Sequence, residues 1–219
     1  MASRPKQPGP RPAPRLYLIT PQLADTSAFS SQLITALNGG DVAAILLRLA
    51  DADERTLINR AKSMAEPIQS KGVAFLIDGH AALVARAGAD GAHLTGIAAF
   101  TDALDQLKPE RIAGVGGLAS RHDAMLAAEQ GADYVMFGEP DVAGRRPTLA
   151  AIEERVAWWA EVFEVPCVGC AASINDVAPL ATAGADFVAL GDFLWRDPHS
   201  VSAVMSEATR HLLLPEPTA

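Results

Sequence analysis

The chain has 219 residues, 49% hydrophobic and 20% charged, with a formal net charge of −8. That length and apolar content suit one globular unit with a sizeable core, near the lower size limit of an eight-fold βα barrel. The acidic balance, with no basic stripe, argues against nucleic acid or an anionic membrane as partner, and no run of ~18 apolar residues offers a membrane span.

Positions 1–14 hold Pro5, Pro8, Pro10, Pro12 and Pro14 among basic residues and read as a disordered arm. Positions 15–213 read as the folded domain and 214–219 as a loose tail. The pair of cysteines and the absence of an export signal point to a reducing cytoplasm.

Taken in order, 16–19 is a short apolar strand ending at Thr20-Pro21. Helical spacing of Phe29, Leu33, Ile34 and Leu37 marks a helix over 25–37, stopped by Gly39-Gly40. Strand 43–47 leads into Arg48, and helix 53–69 opens on Asp53 as its cap. Strand 73–77, helix 80–87, strand 92–94 and helix 101–107 follow, then strand 111–115 and helix 120–130 capped by Ser120. Strand 134–137 runs into a polar loop over 138–147 and a helix over 148–163. Strand 167–168, helix 175–183, strand 187–190 and helix 198–213 complete the chain.

This strict alternation, with strands apolar on both faces, predicts a parallel sheet closed into a single-domain (βα)8 barrel, the α/β class known as the TIM barrel. One phrase punctuates it. Gly88-Ala89-Asp90, Gly131-Ala132-Asp133 and Gly184-Ala185-Asp186 each end a helix and precede a strand. The glycine suits the left-handed residue that terminates a helix, and the aspartate begins a turn.

Chemistry in such a barrel sits just past the C-terminal ends of the strands. That rule selects Thr20, Arg48, Asp78, His80, His93, Gly116, Gly138, Glu139, Gly169, Cys170, Gly191 and Asp192. Arg48 suits an anion, and His93 and Glu139 are candidates for acid–base work. Glycines at the rim let backbone N–H groups approach a phosphate. Cys167-Val168-Gly169-Cys170 has C-x-x-C spacing but lies on a strand, so a core thiol followed by a rim thiol is the expected arrangement.

With these positions in place, the chain resembles the thiamine-phosphate synthase family, which also includes a thiazole tautomerase. Leu16-Tyr17-Leu18-Ile19-Thr20 is similar to the family's opening strand. Phe75-Leu76-Ile77-Asp78 followed by Gly88-Ala89-Asp90-Gly91-Ala92-His93-Leu94 resembles its "LIND…GADGVHLG" block. Gly131-Ala132-Asp133-Tyr134-Val135 with Phe137-Gly138 resembles "GADYV..G".

The resemblance implies a transferase that couples an aminopyrimidine diphosphate to a thiazole phosphate, its leaving group met by Mg²⁺ and basic side chains. Arg48, His93 and Glu139 are the candidate catalytic positions, and Asp78, beside the family's metal position, is the candidate metal ligand. Phosphate binding would fall to Arg48, Arg146, Gly116, Gly138, Gly169, Cys170, Ala171 and Gly191.

Departures from the family pattern are equally specific. Of "Q.R.K" only Arg48 remains, and the two usual magnesium carboxylate positions are Gly79 and Ala98. Gly116 and Asp192 stand where the family has serine, and Cys170-Ala171 where it has Gly-Gly. Arg146 occupies a lysine position, and Glu139 the place of the tautomerase histidine. These departures keep open a second reading: a redirected, tautomerase-like or noncatalytic barrel that binds a small phosphorylated ligand. A homodimer is compatible with either.

Overall fold

Eight parallel strands follow one another in chain order around a closed barrel: β1 (Arg15–Leu23), β2 (Val42–Leu49), β3 (Ala74–Asp78), β4 (Gly91–Thr95), β5 (Ile112–Gly116), β6 (Tyr134–Phe137), β7 (Cys167–Ala171) and β8 (Phe187–Leu190). The ring closes where β8 pairs with β1, Leu18 opposite Leu190. The structure, a computed structural model, describes residues 12–140 and 145–213. The expected arm over 1–14 therefore lies outside the described residues except for its last three positions, as do the tail over 214–219 and positions 141–144 of the polar loop.

The helices are α1 (Ser30–Leu37), α2 (Glu54–Gln69), α3 (Val84–Ala87), α4 (Ile97–Leu107), α5 (Arg121–Glu129), α6 (Leu149–Val162), α7 (Val177–Thr182), α8 (Asp192–Trp195) and α9 (Val201–Leu212). The starts of α2, α5 and α6 are capped by side chains. Asp53 accepts the N–H of Thr56 at 3.0 Å, and Ser120 and Asp123 form a reciprocal capping box. Among the described residues no helix is long and apolar enough to cross a membrane.

Several boundaries differ from the sequence expectation. β1 continues past Thr20-Pro21 to Leu23, because the register shifts between Ile19 and Gln22 and a proline is tolerated at such an irregularity. α1 starts at Ser30, not at 25, since the Asp25 carboxylate accepts the Ser27 N–H and hydroxyl and holds that stretch in a turn. α4 begins directly after Gly96, and α9 only at Val201. The strict alternation is broken by α8, a four-residue helix whose Trp195 indole donates to the Ile19 carbonyl at 2.7 Å.

Period-two alternation along the strands builds two cores. Outward residues such as Leu16, Leu18, Ile45, Leu47, Phe75 and Ile77 pack under the helices. Inward residues Tyr17, Ile19, Leu46, Leu76, Tyr134, Met136, Val168, Cys170 and Ala189 fill the barrel.

The repeated Gly-Ala-Asp phrase is a clasp. Gly88, Gly131 and Gly184 adopt φ of +75°, +95° and +99°. Each aspartate then holds one residue of the strand before it at two points. Asp90 accepts the Phe75 N–H at 2.7 Å and donates its own N–H to the Phe75 carbonyl at 2.8 Å. Asp133 does the same with Ala113 at 2.7 and 3.0 Å, and Asp186 with Cys167 at 2.8 and 3.0 Å. The clasps thus tie the starts of β4, β6 and β8 to β3, β5 and β7. Asp186→Ala removes the carboxylate that accepts the N–H of fully buried Cys167, which is expected to cost about 1–3 kcal/mol. An unchanged urea midpoint for this variant would refute the clasp.

Candidate active site

At the C-terminal ends of the strands a cavity of about 410 Å³ is lined by Ile19, Leu46, Arg48, Asp78, Thr95, Glu139, Pro140, Arg146, Cys170, Ala171, Ala172, Gly191, Asp192, Phe193 and Arg196. Arg48 projects from β2. Its Nε lies 3.6 Å from Asp78 at the end of β3, and its Nη1 3.8 Å from Asp192 at the start of α8. Both separations are long and both partners partly exposed, so these pairs orient Arg48 without spending much of its capacity for an anion. The Arg48 backbone N–H donates to the buried Thr20 hydroxyl at 2.9 Å, fixing the base of the side chain. Arg146 donates to the Cys170 carbonyl.

The tightest arrangement at the cavity is a buried pair. His93 on β4 is fully buried, and its Nε2 lies 3.2 Å from both oxygens of Glu139. Burial disfavours the imidazolium, yet the charge and hydrogen bond of Glu139 outweigh it and raise the His93 pKa. Burial likewise works against the Glu139 carboxylate, and His93, helped by the Gly117 N–H, lowers its pKa nonetheless. Burial pushes the Asp78 carboxyl above its ordinary range, opposed by His93 and Arg48. The Cys170 thiol is pushed up to about 12 by burial, which makes it inert as a nucleophile.

Beneath His93 two tyrosines continue the polar run. The Nδ1 of His93 is 2.9 Å from the Tyr134 hydroxyl, which is 2.8 Å from that of Tyr17. Sequence reasoning missed both tyrosines because each reads as an apolar strand residue, and they lie 117 positions apart. Period-two alternation from Leu16 and Leu18 was the available signal that Tyr17 faces inward. Arg196 and Phe193 were also missed, carried to the cavity by the unforeseen α8.

Gly116 explains one departure from the family pattern. A Cβ there would sit 1.5 Å from Glu139 Oε2 and 2.8 Å from His93 Nε2. The serine expected at this position and the tucked Glu139 cannot coexist, so glycine at 116 makes room for the pair. Gly114, one inward step earlier on β5, leaves space for the Tyr134 ring in the same way, its added Cβ falling 2.0 Å from that ring.

Of the remaining sequence candidates, Gly138 precedes Glu139 with φ +98° and backs on Ile152. Gly169 faces Leu180 of α7, whereas Cys170, Ala171 and Gly191 border the cavity. His80 lines a separate groove beside Glu54 and Asp102.

A magnesium ion takes oxygen ligands, including one or two carboxylates alongside substrate phosphate. Here Asp78 faces Arg48, Glu139 is held by His93, and Gly79 and Ala98 offer no side-chain oxygen. Among the described residues no cluster of three or more His, Cys, Asp or Glu side chains is placed to hold a metal. The cavity's other carboxylates, Asp78 and Asp192, both face Arg48, so these residues do not form a magnesium cage of their own.

The fold and rim define a class: a single-domain (βα)8 barrel whose mixed arginine–carboxylate cavity opens at the C-terminal ends of its strands. A family model described as thiamine monophosphate synthase matches residues 16–193, and the chain belongs to that family. The thiamine-phosphate synthase of Rhodospirillum centenum is 38% identical over 199 residues, covering 90% of this chain and 96% of its own. That of Hyphomonas neptunium is 37% identical over 208 residues, covering 90% and 92%. Thiamine phosphate pyrophosphorylase from Pyrococcus furiosus superposes with a TM-score of 0.72 at 21% identity, covering 91% of this chain and 95% of its own. The 3-hexulose-6-phosphate synthase of Salmonella typhimurium superposes at 0.69 and 16% identity, covering 90% and 98%. These two superpositions bear on fold alone.

Two outcomes test the pair. Gly116→Ala is expected to destabilise by about 1–3 kcal/mol through overpacking, and by clearly less in a Glu139→Ala background, where the colliding carboxylate is gone. Additive effects in that cycle would contradict the geometry.

The pH dependence is also set. The His93 contribution is complete below about pH 6.5 and fades as pH rises through its raised folded value. The Glu139 contribution is complete above about pH 4.3 and fades as pH falls through its lowered folded value. The stability gap between wild type and Glu139→Gln should therefore be widest between about pH 4.5 and 6.5 and narrow on either side. Thermal melts across pH measure it, and a gap that widens steadily above that window would refute the ion pair.

Proposed function

We propose that the chain couples an aminopyrimidine diphosphate to a thiazole phosphate, forming thiamine phosphate. The observation that carries this reading is that arginines and a fixed carboxylate border one rim cavity in a barrel of this family. Arg48 and Arg146, joined by Arg196, supply positive charge for a diphosphate. Glu139, kept anionic by His93, supplies negative charge where a pyrimidine cation would develop.

The step balances without an added group. The carbon–oxygen bond to diphosphate breaks and its electron pair leaves with the diphosphate. The thiazole nitrogen then donates its lone pair to the cationic methylene carbon, and a carbon–nitrogen bond forms. The backbone along Cys170 and Ala171, with Gly191, supports a place for the thiazole phosphate, while Gly116 and Gly138 act by leaving space for Glu139 and its strand end. Cys167 and Cys170, both buried and not joined in a disulfide, suit a reducing, cytoplasmic setting.

Purified protein incubated with both substrates should yield thiamine phosphate, and no product at high enzyme concentration would sink the reading. Arg48→Ala should lower kcat/KM by about 10²-fold, the scale of losing one positioned charge-bearing donor. If arginines take the role of the missing carboxylate-held metal, pyrophosphate binding measured by calorimetry should persist in EDTA and vanish in Arg48→Ala. Binding abolished by EDTA alone would show that a metal is required.

A further inference from the structure

The buried polar side chains inside the barrel form a single file, Tyr17–Tyr134–His93–Glu139, with oxygen and nitrogen separations of 2.8, 2.9 and 3.2 Å. Only Glu139, at the cavity end, borders the cavity. Tyr17 and His93 are 1% and 0% exposed.

The direction of the hydrogen bonds follows from donor counting. An ionised Glu139 accepts only, so neutral His93 must donate from Nε2. Its Nδ1 is then an acceptor and takes the Tyr134 O–H. The Tyr134 oxygen in turn accepts the Tyr17 O–H. Every proton in the file has an acceptor, and every donor points toward the cavity. Reversing the file, with Nδ1–H donating to Tyr134 and Tyr134 to Tyr17, leaves the Tyr17 proton with no side-chain acceptor among the described residues. The imidazole tautomer is set by what the other ring nitrogen meets, and here both ends of the ring demand the same tautomer.

We propose that Tyr134 and Tyr17 are positioning residues for the reaction at the rim: they hold His93 as the Nε2–H tautomer and thereby hold the Glu139 carboxylate at the cavity wall. Tyr134 does so directly. Tyr17 donates to the Tyr134 oxygen, which leaves the Tyr134 proton free to point at Nδ1. The ring of Tyr134 is also stacked on His93, with centroids 5.7 Å apart at 18°, so the imidazole plane is fixed as well as its proton. β5 is built around this file, since Gly114 and Gly116 are the positions whose missing side chains admit the Tyr134 ring and the Glu139 carboxylate. The kinetic part of the inference rests on the transferase reading, and the spectroscopic part does not.

The test uses the full chain and two variants that keep the rings, Tyr134→Phe and Tyr17→Phe. Histidine side-chain nitrogen spectra of ¹⁵N-labelled protein are recorded at rising pH until the His93 nitrogens report the neutral ring, whose pKa Glu139 raises, with His93 assigned by its loss in His93→Gln. Wild type should show His93 protonated on Nε2 with Nδ1 as a hydrogen-bonded acceptor. In Tyr134→Phe the Nδ1 signal should move toward that of an unbonded acceptor, with a smaller move of the same sign in Tyr17→Phe.

In the transferase assay Tyr134→Phe should lower kcat about tenfold, the lower end of what removing a partner behind a functional side chain does, with KM for the diphosphate unchanged. Protonation on Nδ1 in wild type, or an Nδ1 signal indifferent to Tyr134→Phe, would overturn the inference. So would an unchanged kcat in an active enzyme. Absence of product from wild type would strike the transferase reading instead, and the spectra would still decide the file.

Discussion

Everything at the rim depends on a clasp at the opposite end of the barrel. Each aspartate of the Gly-Ala-Asp phrase grips one residue of the preceding strand through both its carboxylate and its backbone N–H. A parallel strand pair has evenly spaced, slanted bonds and no tight turn to set its register. A slip by one residue would exchange the inward and outward faces. The clasp removes that freedom at the β3–β4, β5–β6 and β7–β8 joins. With the register fixed below, Asp78 pairs with His93 and His93 meets Glu139 above.

Register alone does not make a polar interior tolerable. A buried histidine and carboxylate cost several kcal/mol to desolvate unless geometry and hydrogen bonds compensate. Here the compensation is spatial. β5 gives up two inward side chains, and the vacated volume is taken by the Tyr134 ring and the Glu139 carboxylate. The result is a file in which each polar atom meets a partner, and among the described residues no buried side-chain nitrogen or oxygen is left unsatisfied. The polar file and the apolar residues around it, Leu46, Leu76, Met136 and Val168, form one packed layer system. Low surrounding polarity strengthens the interactions within the file.

The barrel was legible in the sequence because its signals are local: apolar runs of strand length, helix periodicity, and glycine at each helix end. The rim was legible because strand ends fix it, and Arg48, Asp78, Glu139 and Arg146 do border one cavity. The clasp was half legible, since the aspartate was read as a turn residue while its grip on a neighbouring strand is a tertiary fact. The tyrosines were not legible. Tyr17 and Tyr134 meet across the barrel, and nothing local to either announces the other. Gly116 looked like a lost serine, and only the position of Glu139 shows that the two changes are one. α8 escaped because four residues carry too little periodicity to stand out.

The charge pattern of the cavity has its own logic. Arg48 has Asp78 and Asp192 near it, at distances where each attraction is modest. These carboxylates orient the guanidinium and offset repulsion between Arg48, Arg146 and Arg196. An incoming diphosphate carries more charge than either carboxylate and matches the planar fork of a guanidinium. It can draw Arg48 to itself without crossing a large barrier, because no close bidentate pair must break first. A carboxylate gripping Arg48 at hydrogen-bond distance would defeat this. Glu139 is the contrast. Bonded at 3.2 Å to a fully buried partner, it is placed to stay where it is while ligands come and go. A loosely paired Arg48 and a firmly held Glu139 around the same cavity are the arrangement a reaction needs when it parts a diphosphate from a carbon cation.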